Sequence, residues 1–310
     1  NQEVFHHTNF RGCQSAAIAS ALQHKDILVL MPTGGGKSLI YQMAGYIENK
    51  LTIVISPLIS LIIDQMRSLE KFNLTCSAFL GDTGSQEYLD IIHKIESNET
   101  LFVFLTPEKL IQSDVILNFL IDINKKGLIG RFVIDEAHCV SQWGHDFRPS
   151  YKNLHILKQF FNNVPLMALT ATATEKVQND IAVALKMNDC MVFKMSFNRP
   201  NLIYEVVEKK DTNQSYQTIL QFIQNHHLKN KSGLIFCMSA NDTESLCNFL
   251  TNYNLKCRYY HGQMKNIKER HEVQRLWTNG KVKIVIATMA FGMGIDKADV
   301  RFVIHHTIPK

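Results

Sequence analysis

The chain has 310 residues, of which 45% are hydrophobic and 20% charged; that balance excludes a disordered or collagen-like chain, and the length suits two domains of ~150 residues each. Lys and Arg number 33 against 28 Asp and Glu, a net charge of +5, which permits a nucleic-acid partner without specifying one, because a local patch counts for more than the total. The 7 cysteines include no C-x-x-C pair, which argues against a disulfide framework or zinc knuckle and for reduced thiols inside a cell.

The first residues, NQEVFHHTNF, lack the pattern of a secretory leader. Phe10-Arg11-Gly12-Cys13-Gln14 follows. A carboxamide such as Gln14 can pair with an adenine edge through donor and acceptor together, although a surface glutamine on a first helix is the commoner situation. Residues 27–31, ILVLM, read as a strand running into Pro32-Thr33-Gly34-Gly35-Gly36-Lys37-Ser38, with a helix beginning near Lys37. Three glycines let the backbone turn and bring its N–H groups against an anion. The helix adds free N–H groups and the positive end of its dipole. Lys37 can reach the β- and γ-phosphates, and the Ser38 hydroxyl can hold Mg²⁺. The strict G-x-x-x-x-G-K-[ST] pattern would place glycine where Met31 stands.

A second apolar run, TIVIS (52–56), opens the stretch Leu51–Ile63, which Ser56, Pro57 and Ser60 interrupt. It falls short of the ~20 apolar residues that a bilayer span needs. An amphipathic helix is expected over Ser60–Phe72, then a strand at LFVFL (101–105). The strand FVID (132–135) ends in the adjacent acids Asp135 and Glu136, at the carboxyl edge of a sheet, where α/β folds bind ligands. Asp135 can hold the Mg²⁺ shared with Ser38. Glu136 can orient and deprotonate an attacking water. An acidic pair at a strand end is more often a solvated turn; the loop at Gly34–Ser38 makes this one specific.

Beyond the acids, Gln142, Trp143, Phe147 and Arg148 lie in a stretch of glycine, proline and charge. Stacking on a base is worth ~1–3 kcal/mol and tolerates any sequence, and Arg148 suits a phosphate, while a loop tryptophan also serves as a packing anchor. His138 and His145, with no cysteine pair nearby, read as hydrogen-bonding loop residues. PLMALT (165–170) is the last strand of the first series. Residues 196–215 read as a linker running into an edge strand. The rhythm restarts with GLIFC (233–237), a helix over Asn241–Tyr253, and strands CRYYH (257–261), KIVIAT (283–288) and RFVIHH (301–306). Apolar runs alternating with helices predict an α/β fold with mainly parallel sheets covered on both faces. The expected domains are 1–198 and 199–310.

Taken together, F-R-x-x-Q, M-P-T-G-G-G-K-S-L-I-Y-Q, I-S-P-L-I-S-L-I-I-D-Q, D-E-A-H-C-V-S-Q-W-G-H-D-F-R-P, A-L-T-A-T-A-T, F-N-R-P-N-L, L-I-F-C-M-S, Y-H-G and I-A-T-M-A-F-G-M-G-I-D-K resemble the RecQ family of DNA helicases in superfamily two, its Bloom-type branch above all. The resemblance implies two RecA-like domains and ATP-driven 3′ to 5′ movement on one DNA strand, in repair and recombination. It implies ATP and Mg²⁺ as cofactors and no zinc in these residues. The implied partner is single-stranded or forked DNA, with no membrane, in the nucleus of a eukaryotic cell and otherwise in the cytoplasm. Arg11, Gln14, Thr33, Gly34, Gly35, Gly36, Lys37 and Ser38 match its nucleotide-contacting residues, and Lys37, Asp135 and Glu136 its catalytic set, with Ser38 and Asp135 on Mg²⁺. Ser141 to Arg148 match a loop that couples DNA binding to hydrolysis. Thr170 and Thr172 match the motif tied to domain closure, and Phe291 to Asp296 a second-domain motif at DNA and nucleotide.

Two departures from the family pattern stand out. The aromatic expected ahead of F-R-x-x-Q is replaced by Phe5-His6-His7-Thr8, with His7 as the nearest stacking group. The string Q-x-x-G-R-A-G-R, which carries the family's arginine finger, does not occur in these residues. The expectation is therefore nucleotide binding with little or no unwinding by this chain. An RNA helicase of the DEAD/DEAH type shares the same engine and stays open as a reading. A fragment that holds ATP and DNA without turnover does too.

Overall fold

The computed structural model describes residues 1–307 apart from 82–83, 142–146, 172, 188, 210, 265, 292–296 and 298. The expected positions Gln142, Trp143, Thr172 and Asp296 lie outside the described residues. Contacts divide the chain into two compact units, Asn1–Asn201 and Leu202–Lys310.

The first unit runs α1 (Gln2–Phe5), α2 (Gln14–Leu22), β1 (Ile27–Leu30), α3 (Lys37–Glu48), β2 (Leu51–Ile55), α4 (Ile59–Glu70), β3 (Cys76–Phe79), α5 (Ser85–Glu96), β4 (Phe102–Leu105), α6 (Pro107–Gln112), α7 (Asp114–Lys125), β5 (Ile129–Ile134), α8 (Pro149–Lys152), α9 (Ile156–Phe160), β6 (Leu166–Thr170), α10 (Glu175–Ala184) and β7 (Met191–Lys194). A 3₁₀ turn, Ala137–Val140, follows β5. The strands form a 7-stranded sheet in the order β3-β4-β2-β5-β6-β1-β7, with every pair parallel.

Alternation along each interior strand feeds two cores. Leu28, Leu30, Ile53, Ile55, Phe132 and Ile134 face one layer of helices. Ile27, Val29, Val54, Phe102, Val133 and Met167 face the other. Each large side chain buried this way is worth roughly 1.5–3 kcal/mol, so both faces are held. The five interior strands are the five runs that the sequence marks. The two edges, β3 and β7, carry no such run: β7 leaves three of its four residues exposed.

Residues 195–209 form no helix or strand. The edge strand expected there is absent: Ile203 is 95% and Val206 93% exposed. An apolar stretch makes a strand only when a neighbour supplies the ladder, and none among the described residues does. The second unit holds α11 (Thr212–Asn225), β8 (Ser232–Phe236), α12 (Ala240–Asn252), β9 (Cys257–Tyr260), α13 (Ile267–Thr278), β10 (Ile284–Ala287) and β11 (Val300–His305). Its 4 strands lie in the order β11-β8-β10-β9, all parallel, with Trp277 wholly buried under the sheet and its Nε1 donating to the Lys283 carbonyl at 3.2 Å. Each unit is a RecA-like α/β layer structure. No helix among the described residues is long and apolar enough to cross a membrane.

Candidate active site

Register aligns the carboxyl ends of four adjacent strands. Leu30 pairs with Thr170, Ala168 with Ile134, and Ile134 with Ile55. The segments that follow them therefore emerge along one edge of the sheet. These are the loop at 31–36, the Asp135–Glu136 turn and the Ser56-Pro57-Leu58 link. With β6 between β1 and β5, the loop and the acids stand about 10 Å apart at ordinary strand spacing.

The loop at 31–36 is held by its own backbone and by the segment ahead of it. Gly35 N–H donates to the Pro32 carbonyl at 2.9 Å. Gly34 and Gly36 have φ of +76° and +87°, left-handed conformations that favour glycine. A Cβ at Gly34 would meet nothing within 4 Å, whereas one at Gly36 would strike Gln14 Nε2 at 2.5 Å. The open side of the turn is thus free for a ligand and the other side is occupied. Helix α3 starts from Gly36 with no side-chain cap, so its first N–H groups remain available, as anion binding requires. Lys37 Nζ donates to the Met31 carbonyl at 3.2 Å. Thr33 is exposed, and Ser38 is half-buried at the first turn.

Gln14 is only 2% exposed. Its Nε2 donates to the Gly36 carbonyl at 3.0 Å and the Gly35 carbonyl at 3.4 Å, and its Oε1 accepts from Arg11 N–H at 2.7 Å. Arg11 Nη1 donates to the Gly34 carbonyl at 3.4 Å. Both residues expected at a nucleotide thus brace the glycine turn. Pairing Gln14 with a base edge requires its carboxamide to leave that turn. Phe5 is buried against Tyr46 and Phe72, while His7 is exposed.

Asp135 is 7% exposed. Burial, and then the charge of Glu136, push its carboxyl up from 3.8 to about 6, while Gln65, Lys37 and the Glu136 N–H pull it down. The pull of the Lys37 ammonium on Asp135 ties the glycine loop to the acids electrostatically. Asp135 Oδ1 accepts the Glu136 N–H at 3.0 Å and Oδ2 accepts Gln65 Nε2 at 2.6 Å. Glu136 sits at φ 48°, a left-handed conformation that costs a non-glycine residue about 1–3 kcal/mol. Its neighbours hold it there: Cys139 N–H donates to the Glu136 carbonyl at 2.9 Å, and Tyr151 OH to the Asp135 carbonyl at 2.9 Å.

His138 Nδ1 lies 3.0 Å from Thr170 Oγ1 and 3.2 Å from Glu136 Oε2; a proton on Nδ1 serves both acceptors and joins the acid turn to the end of β6. The two described ends of the aromatic-rich segment are anchored. Ser141 Oγ donates to Asp180 Oδ2 at 2.5 Å, and Arg148 Nη1 to the Pro57 carbonyl at 2.8 Å. Phe147 is half-buried, with Lys152 Nζ 5.2 Å from its ring centroid.

Phe291, expected in DNA binding or coupling, packs in the core of the second unit. It is 2% exposed, with ring centroids 4.7 Å from Tyr260 and 5.6 Å from Trp277. Its ring is part of the packing of that unit and does not itself face solvent. Sequence reading gave no role to Gln65, Tyr41 or Tyr151. Gln65 closes the string I-S-P-L-I-S-L-I-I-D-Q, and that position was the only available hint. Among the described residues no group of three or more His, Cys, Asp or Glu is gathered to hold a metal ion.

The site fits a nucleotide with a divalent cation on its own chemistry. An uncapped helix start and open glycine turn face the same sheet edge as a buried carboxylate and an ammonium.

The DEAD/DEAH box helicase family model matches residues 11–181, and the helicase conserved C-terminal domain model matches residues 214–310. The chain is 46% identical over 312 residues to ATP-dependent DNA helicase Q-like 4B of Arabidopsis thaliana, a match covering 100% of this chain and 27% of that protein. It is 44% identical over 304 residues to RecQ-like DNA helicase BLM of Xenopus laevis, covering 97% of this chain and 22% of that protein. The chain thus spans about a quarter of the length of these relatives. Among solved structures, the DUF1998 helicase MrfA bound to DNA and AMPPNP superposes with a TM-score of 0.73 over 96% of this chain and 44% of that one. At 17% identity that likeness carries the fold alone.

Proposed function

Because the chain belongs to the DEAD/DEAH box helicase family and carries a RecQ-type core, we propose that its first unit binds and hydrolyses ATP with Mg²⁺ to drive 3′ to 5′ movement on single-stranded DNA. One observation carries the reading. The glycine turn ahead of Lys37 and the buried carboxylate of Asp135 emerge at one edge of the sheet, from strands that only β6 separates.

In this reading the N–H groups of the 34–36 turn and of the first turn of α3 cradle phosphate oxygens. Lys37 exchanges the Met31 carbonyl for a phosphate. Ser38 and Asp135 hold Mg²⁺, which when bound neutralises phosphate charge and fixes phosphate geometry. Glu136, kept in its left-handed turn, orients water and accepts its proton. His138 and Thr170 fix the carboxylate of Glu136. Arg11 and Gln14 report nucleotide occupancy to the loop that they brace. Trp143 and Phe147 stack on bases and Arg148 meets the backbone. Work on repair or recombination intermediates, in the nucleus where the cell has one, extends this reading to the whole protein.

The test is nucleotide affinity. Lys37→Ala is expected to lower ATP affinity by roughly tenfold or more, as loss of a charge-assisted phosphate contact does; unchanged affinity removes the assignment. Phosphate release with saturating single-stranded DNA, and then with RNA, separates a DNA-driven motor from an RNA-driven one. Trp143→Ala should abolish DNA stimulation and leave nucleotide binding intact.

A further inference from the structure

Helix α4 touches the site at two places. Ahead of its first turn, the Pro57 carbonyl accepts Arg148 Nη1 at 2.8 Å. Near its middle, Gln65 Nε2 donates to Asp135 Oδ2 at 2.6 Å, and Gln65 Oε1 accepts Tyr41 OH at 3.2 Å. Tyr41 is wholly buried in α3, so the far end of this relay is fixed. Asp135 Oδ1 is engaged by the Glu136 N–H. Each carboxylate oxygen therefore has its own donor, and the plane of the carboxylate is set from two sides.

The chemistry asks for such control. Mg²⁺ demands near-ideal octahedral geometry, so a ligand or water-holding carboxylate must not swing. Hydrogen-bond partners behind metal ligands orient them, and their loss commonly lowers metal affinity about 10–100-fold. A neutral carboxamide suits this role, because it directs a lone pair without competing with the metal as a cation would.

We propose that Gln65 is a positioning residue for the Mg²⁺-bound nucleotide. It fixes the carboxylate plane of Asp135 and, through α4 and Pro57 ahead of it, ties that plane to Arg148. The inference rests on the nucleotide-binding reading above. Helix α4 and Pro57 just ahead of it thus link Arg148, proposed to meet DNA, to the carboxylate proposed to meet the metal, within the first unit. Gln65 touches no reacting atom in this arrangement and acts through Asp135.

The experiment uses the whole 310-residue chain and a fluorescent, non-hydrolysable ATP analogue, titrated in EDTA and again in Mg²⁺. Gln65→Met keeps side-chain length and removes the amide. It should leave metal-free affinity within about twofold and cost roughly tenfold of the affinity that Mg²⁺ adds. Tyr41→Phe, which removes only the hydroxyl behind the amide, should cost a smaller part of the same gain and none of the metal-free affinity. A Gln65→Met protein with its Mg²⁺ gain intact overturns the proposal, as does one that loses metal-free affinity to the same degree, since that marks a general collapse of the site. A parent chain that binds no analogue, or a Lys37→Ala control that binds as the parent does, overturns the underlying reading instead.

Discussion

The carboxamide nitrogen of Gln14 lies 3.0 Å from the carbonyl oxygen of Gly36. A residue ahead of the first strand thereby closes the back of the glycine turn that follows it. Removing the amide strips donors from two carbonyls and an acceptor from Arg11 N–H. At about 1–3 kcal/mol for a mostly buried polar group left unpaired, Gln14→Ala should lower the unfolding midpoint of the nucleotide-free chain by several degrees, and should weaken ATP binding as well. Calorimetry without nucleotide checks it. A midpoint equal to that of the parent would mean that Gln14 serves only the ligand.

His138 and Thr170 give a second expectation. Thr170 is wholly buried and its hydroxyl lies 3.0 Å from His138 Nδ1, beside Glu136. Thr170→Val keeps the shape and removes the partner. Nucleotide affinity should stay within about twofold, and DNA-stimulated turnover should fall roughly tenfold, a fraction of what a correctly held general base contributes. Parallel binding and phosphate-release measurements decide it. Equal loss in both would assign the pair to binding alone.

A pH dependence follows from Asp135. Its carboxyl titrates near 6 in the folded chain against 3.8 for the free group, so the folded state holds the proton more tightly. A carboxyl shifted in this direction favours folding at low pH. That contribution is lost as pH rises from about 4 through about 6. The shift sets an upper bound of about 3 kcal/mol. Without metal, Asp135→Asn should therefore gain stability relative to the parent as pH rises through that window. Denaturant melts at pH 4.5 and 7.5, as round working values, test the sign; an Asn variant that loses ground instead contradicts it.

Gly45 sets two opposing effects against each other. It lies inside α3, where alanine would gain about 1 kcal/mol of helix propensity. A Cβ there would meet Thr52 Oγ1 at 2.5 Å and the Phe102 ring at 3.0 Å, and overpacking of this kind costs about 1–3 kcal/mol. Both neighbours are wholly buried on interior strands and have little room to yield. Gly45→Ala should therefore lower the midpoint by a few degrees, with nucleotide affinity falling too because α3 carries Lys37 and Ser38. A rise in midpoint would show that the sheet gives way.

The local signals read best where the chain is apolar on both faces. Ile27–Leu30 and Leu51–Ile55 are interior strands and announce themselves, as does the 132–134 part of Ile129–Ile134, whose first half carries Gly130 and Arg131. The edges are not marked by composition: Cys76–Phe79 has three of four residues buried but carries only the small Ser77 and Ala78 beside Phe79, and Met191–Lys194 leaves three of its four residues exposed. Leu202–Val207 shows the converse, an apolar pattern with no ladder beside it. Phe291 makes a related point: a motif position tells which residue stands there, not whether its ring faces solvent or core.

The amino-acid order alone determined the kinds of element, their rhythm and the chemistry of the glycine turn and acidic pair, because these depend on neighbours along the chain. Only the tertiary structure decided the order β3-β4-β2-β5-β6-β1-β7, which sets Lys37 within electrostatic reach of Asp135. It alone joined Gln65 to Asp135 across 70 residues. Such contacts arise from parallel crossovers that place distant segments at one sheet edge, and a side chain's partner across a crossover leaves no periodic trace in its own segment.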